Sequence, residues 1–145
     1  MKLSKNFEDK EFACPCCGRK DISPILIHRL QELRDRVDDP IFITSGVRCT
    51  AYNKKINGAS NSPHIKGLAA DIQVRGVPSY ILANIADNVD KEGRLGIYPN
   101  HLHLDIVPPN PSRFWLVDKY NGEYIYSKQE KSLTTFLFKN KFDKR

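Results

Sequence analysis

The sequence predicts a single α+β domain, one mostly antiparallel sheet with a few helices. Two long segments carry apolar residues at helical spacing, and several short β-rich runs are joined by hairpin-like connections. No repeat, low-complexity stretch or linker divides the chain. Its 145 residues fit one domain, and a chain of that size buries roughly 70% of its unfolded surface without needing disulfides.

Local signals justify each element. Ser23-Pro24 opens a helix, because serine caps well and proline suits the first helical position. Ile25, Leu26, Leu30, Leu33 and Val37 follow as its core face, and Asp38-Asp39-Pro40 ends it. Residues 41–45 read as a strand closed by Gly46, 49–56 as a short helix, and 57–63 as a polar loop. Residues 68–74 form the next strand. Pro78 begins a helix to about Val89, with Ile81, Leu82, Ile85 and Ala86 as its apolar face. Residues 94–98 and 101–107 are two strands joined at Pro99-Asn100, and 118–126 is a final hairpin turning at Asn121-Gly122. Residues 127–145 are expected as a peripheral helix or a partly ordered tail. The core of the domain is expected over about 7–116, with 117–145 a hairpin and C-terminal extension.

Composition is that of a globular chain, 40% hydrophobic and 28% charged, and no run reaches the length of a membrane span. The N-terminal residues lack the apolar core of a signal peptide, so the expectation is a protein made in the cytosol and released by another route. The net charge of +6 suits nucleic acid or an anionic polymer such as a bacterial cell wall. Lys139, Lys141, Lys144 and Arg145 cluster near Phe136, Phe138 and Phe142, but no helix-turn-helix, RNA-recognition or paired zinc-finger pattern accompanies them. Nucleic-acid binding is therefore not the expected role.

Chemistry concentrates in two segments, Ser62-Pro-His64-Ile-Lys-Gly67-Leu-Ala69-Ala-Asp71 and His101-Leu-His103-Leu-Asp105. His64, Asp71 and His103 would supply two imidazoles and one carboxylate. Three protein ligands leave a tetrahedral zinc with its fourth position open for water, the arrangement of a catalytic site. The ligands come from loop and strand positions, unlike a helical His-Glu-x-x-His pair. Alternate strand residues share a face, so His101, His103 and Asp105 are expected to look into one cleft.

Ser62-x-His64-x-x-Gly67-x-Ala69-x-Asp71 resembles, in full, the signature of the zinc D-Ala-D-Ala carboxypeptidase family, the M15 peptidases. His101-x-His103 is similar to that family's third-ligand region, and Thr44-Ser-Gly-Val-Arg48 to its substrate-arginine segment. Gly96-Ile-Tyr-Pro99 and Arg113-Phe-Trp115 resemble elements flanking the last ligand. The likeness runs over roughly 7–116. It implies a Hedgehog/DD-peptidase-like fold and a zinc peptidase with one zinc ion acting on bacterial peptidoglycan stem peptides or crosslinks. His64, Asp71 and His103 are the implied ligands, and Arg48 the group holding a substrate carbonyl or carboxylate oxygen.

One role does not carry over. Where many members place an acidic general base, three residues before the last ligand, this chain has Asn100, which accepts no proton at neutral pH. His101 is the expected base, since an imidazole titrates near neutrality. Asp105 is the second candidate, or the partner that orients His103. Ser62 either contacts substrate or caps the turn presenting His64. Trp115 either walls the cleft or packs in the core. Tyr120, Tyr124 and Tyr126 read as hairpin packing, and His28 as a residue without a site role. Which bond is cut stays open: D-Ala-D-Ala, L-Ala-D-Glu or a crosslink.

Cys14-Pro-Cys16-Cys17-Gly18 resembles a zinc knuckle without a second Cys-x-x-Cys, and Cys49 is the one distant thiol. Three states fit the four cysteines: free packed thiols, one disulfide with Cys49, or a metal site. The resemblance also leaves a rival function, a non-catalytic zinc module of the Hedgehog type that binds a partner. The missing signal peptide suits a bacteriophage lysis or virion enzyme.

Overall fold

A computed structural model describes residues 1–109, 112–128, 130 and 132–140. Six strands form one sheet: β1 (Phe42–Ser45), β2 (Ala69–Gln73), β3 (Arg94–Ile97), β4 (Leu102–Asp105), β5 (Phe114–Val117) and β6 (Tyr124–Tyr126). Their order is β1-β2-β4-β3-β5-β6, antiparallel throughout except where β3 and β5 run parallel. The expected α+β class holds.

Strand periodicity separates core from site. Ala70, Ile72, Leu95, Ile97, Leu102, Leu104, Phe114 and Leu116 belong to the apolar core, with helices α1 (Pro24–Val37) and α3 (Ser79–Val89) packed together nearby. The alternate residues line up on the other face. Ser45 pairs with Asp71, Asp71 with His103, His103 with Gly96, Gly96 with Trp115, and Trp115 with Tyr126. One row across the sheet thus carries Asp71, His103 and Trp115 of the candidate site. A one-residue slip of any strand would turn its member of that row into the core.

The helices follow the expected signals, with two shifts of face. Ser23 caps α1 by accepting the Ile25 N–H, and Asp38 ends it in a left-handed conformation at φ 56°. Leu26, Leu30 and Leu33 are buried as expected, but Ile25 is 59% exposed and Ile27 is buried in its place. The stripe through Leu26, Leu30 and Leu33 passes beside position 27, whereas position 25 lies about 100° around the helix on the solvent side. In α3 the same offset leaves Ile81 exposed and buries Ala83.

The C-terminal hairpin starts earlier than expected. Its first strand is the apolar run Phe114–Val117, and the expected segment from Asp118 is the turn, where Gly122 at φ +73° donates to the Asp118 carbonyl at 2.8 Å. Helix α4 (Leu133–Lys139) is capped by Ser132 and buries Leu133, Phe136 and Leu137. Lys139 of the basic cluster pairs with Glu130 at 2.9 Å; Lys141, Phe142, Lys144 and Arg145 lie outside the described residues. Among the described residues no helix is long and apolar enough to cross a membrane.

Candidate metal centre and its cleft

Each candidate ligand is delivered by a different local device. Ser62 accepts the His64 N–H at 3.3 Å, starting a 3-10 turn (Pro63–Lys66) that ends at Gly67 with φ +70°. A side chain at residue 67 would be strained there and would also meet the Asp21 carbonyl at 2.4 Å. Asp71 and His103 are register partners on β2 and β4. The facing atoms of His64, Asp71 and His103 lie within 4.8 Å of one another, and all three residues are buried.

The outer nitrogens fix what the inner ones present. His64 Nδ1 lies 2.7 Å from the Gly46 carbonyl, which only accepts, so that nitrogen carries a proton. His103 Nε2 donates to Asp105 Oδ2 at 2.8 Å. In their neutral forms both rings therefore turn a lone pair toward Asp71 Oδ1, His64 Nε2 at 3.2 Å and His103 Nδ1 at 3.0 Å. Burial pushes the His64 imidazole down and so favours the neutral ring, whereas two carboxylates outweigh burial and raise His103. Burial would raise Asp71, but when the imidazoles carry a proton toward it their hydrogen bonds and charge hold its carboxyl far below the usual range. Acceptors converging on one buried point are what a zinc-class cation needs, and these donors fit it.

Around this set, Arg48 is tied on three sides. Its Nη2 reaches Asp71 Oδ2 at 3.1 Å, its Nε reaches Ser45 Oγ at 3.0 Å, and its Nη1 reaches the buried Asn53 Oδ1 at 3.2 Å. Three of five N–H donors are thereby used, and two are left for a ligand. His101 precedes β4 and sits half-buried. Its Nδ1 meets Asn100 Oδ1 at 2.9 Å, and its Nε2 stands 3.8 Å from Asp71 Oδ2. Burial lowers the His101 imidazole below its ordinary value.

Asp105 does not join His101 and His103 in the cleft as expected. Its carboxylate is fully buried and takes Arg94 Nε at 2.9 Å, Arg94 Nη2 at 2.8 Å and the Val107 N–H at 3.0 Å, besides His103. These bonds keep it ionised and leave it as the orienting partner of His103 rather than a proton acceptor. Ser62 is likewise buried in its capping role.

The set opens into a cleft of about 720 Å³. The Trp115 ring stands 5.2 Å from His103 and lines it. Tyr98 stacks on His101 at 4.4 Å. Tyr124 and Tyr126, expected as hairpin packing, instead stack on each other at 6.3 Å along the cleft wall and stay about half exposed. The signal for them was their alternate spacing, which puts both on one face of β6. Sequence reasoning also missed Asn53 and Arg94, which reach the site only through the fold, and had Tyr98 only as part of the flanking Gly96–Pro99 element.

Fold and site together define a class, a small α+β domain in which two paired strands and a 3-10 turn present a two-histidine, one-carboxylate set to an open cleft. Residues 5–105 match the family described as Peptidase M15, more than half of the chain, and the chain belongs to that family. A curated relative, the zinc D-Ala-D-Ala carboxypeptidase of Streptomyces albus G, is 34% identical over 93 residues, 63% of this chain and 36% of the relative. The chain thus spans little more than a third of that relative's length.

Proposed function

We propose that this chain is a zinc-dependent peptidase that hydrolyses peptide bonds in bacterial peptidoglycan stem peptides or crosslinks, of the carboxypeptidase or endopeptidase type. The observation that carries the reading is the convergence of His64 Nε2, Asp71 Oδ1 and His103 Nδ1 at the floor of an open cleft. A zinc ion held there supplies Lewis acidity, polarising a carbonyl and acidifying water.

The chain's own residues supply the remaining steps. His101 keeps its Nδ1 proton on Asn100, so Nε2 is free to take a proton from the attacking water and later return one to the leaving amine. Arg48, braced by Ser45 and Asn53, turns its two remaining N–H donors to a substrate carbonyl or terminal carboxylate. Trp115, Tyr98, Tyr124 and Tyr126 give the substrate an aromatic wall. The net charge of +6 favours approach to an anionic wall polymer. As part of the same proposal, the setting of this activity is bacteriophage lysis or a virion.

A non-catalytic zinc module would share the three ligands, and Asn100 in the acid position favours it. The free Nε2 of His101 beside Asp71 argues for hydrolysis. Mass spectrometry of purified peptidoglycan fragments, incubated with the protein with and without a zinc chelator, decides between them. New peptide products that vanish with chelator are expected, and their masses name the bond. Zinc bound stoichiometrically with no cleavage of several wall types would overturn the proposal in favour of the binding module.

A further inference from the structure

A second cluster of metal-binding side chains lies outside the cleft. The Sγ atoms of Cys14, Cys17 and Cys49 all lie within 4.8 Å of one another, although Cys49 is far from the other two in sequence. In a tetrahedral zinc site with Zn–S of about 2.3 Å, sulfurs stand about 3.8 Å apart, so the three need only small rotations. Cys16 is the remaining thiol of the turn, and it too interacts with the Cys49 side chain.

The backbone is arranged for sulfur carrying negative charge. Residues 14–18 fold into a tight turn: the Gly18 N–H donates to the Cys14 carbonyl at 2.8 Å, Gly18 sits at φ +76°, and the Cys14 N–H returns to the Arg19 carbonyl at 2.7 Å. The Cys49 N–H donates to Cys14 Sγ at 3.4 Å, and the Tyr52 N–H donates to Cys49 Sγ at 3.4 Å, so Cys49 also caps α2 (Thr50–Lys55). The backbone N–H groups of Cys49, Cys17 and Cys16 all serve the Cys14 sulfur. Cys16 lies beside the same group, with its closest interaction to the Cys49 side chain.

We infer that Cys14, Cys17 and Cys49, with Cys16 as the fourth thiol, form a structural zinc-class metal site that fastens the N-terminal turn to the segment bearing Arg48. Cys16 stands outside the mutual 4.8 Å of the other three and would swing in as the fourth thiolate, closing the shell and leaving no open position for catalysis. Binding releases the thiol protons to solvent. The segments it joins already touch: the Val47 N–H donates to the Phe12 carbonyl at 2.9 Å, and Arg19 Nη2 donates to the carbonyl of Ile65, beside His64. The metal would hold this contact behind the active cleft and keep the Arg48 strand end and the His64 turn together. The inference does not rest on the peptidase reading.

Cobalt loading of the full chain, purified under reducing conditions, tests it. Sulfur-to-cobalt charge-transfer absorption is expected in the near ultraviolet, retained in His64→Ala, and lost or strongly reduced in Cys17→Ser and Cys49→Ser. Zinc analysis should find one equivalent fewer in Cys17→Ser than in the native chain. Cys17 lies on the exposed turn, so its variant keeps a folded control should Cys49→Ser unfold. Absence of charge-transfer absorption from the native chain, with all four thiols reacting freely in excess zinc, would overturn the inference. So would an intact mass lower by a hydrogen pair after non-reducing isolation, which would mark a disulfide instead.

Discussion

Gly96 and Trp115 face each other in register across β3 and β5, and a Cβ on residue 96 would stand 2.4 Å from Trp115 Cε2. The glycine is therefore the space that the indole occupies. Without it the ring could not lie beside His103 and form the cleft wall.

Gly96→Ala should force the indole or the strand to shift, at a cost of about 1–3 kcal/mol as for other overpacked sites. Trp115 is the chain's one tryptophan. Its fluorescence should therefore change together with a lowered unfolding midpoint. An unchanged spectrum and midpoint would mean that the ring is not held against residue 96.

Asp105→Asn would replace a fully buried carboxylate that takes both Arg94 and His103. Outer partners of metal-binding histidines typically contribute 10–100-fold in affinity. Zinc affinity, measured by competition with a chelating dye, should fall by roughly that factor while circular dichroism keeps its native form.

His101→Gln should cut hydrolysis of wall fragments by roughly 10²–10⁴-fold, the usual contribution of a general base. Zinc content should not change, because His101 stands apart from the three convergent ligand atoms. Full turnover in this variant would remove His101 from the mechanism.

Tyr98 gives a prediction in pH. Burial raises its phenol from an ordinary value of 10.0 to about 12, with Trp115 opposing and Tyr124 assisting. A group raised in the folded chain contributes stability that is fully present below its unfolded value and lost as pH climbs through the folded one. Between those values native stability should fall more steeply than that of Tyr98→Phe. Urea midpoints on either side of the window measure the difference; parallel declines would show that Tyr98 ionises as easily in the folded chain as in the unfolded one.

Much of the site was readable before any fold was known. His64, Asp71 and His103 lie in short segments whose spacing suggests a metal site, and Arg48 was singled out through the family resemblance; the structure brings all four together. Ser23, Ser62 and Gly67 do local backbone work that any context would demand of them. The α+β class likewise followed from periodicity, which each segment carries within itself.

The sequence by itself determined the candidate ligand types, the helix starts and the alternation that splits β2 and β4 into a core face and a site face. Only the tertiary structure decided which residues meet. Register set Asp71 opposite His103 and Gly96 opposite Trp115, and the parallel pairing of β3 with β5 moved Tyr124 and Tyr126 from expected packing to the cleft wall. The same is true of Asp105, whose strand face was legible but whose burial under Arg94 was not. Local patterns report what a residue offers to its near neighbours. Partners distant in sequence are chosen by sheet order and packing, which no short window contains.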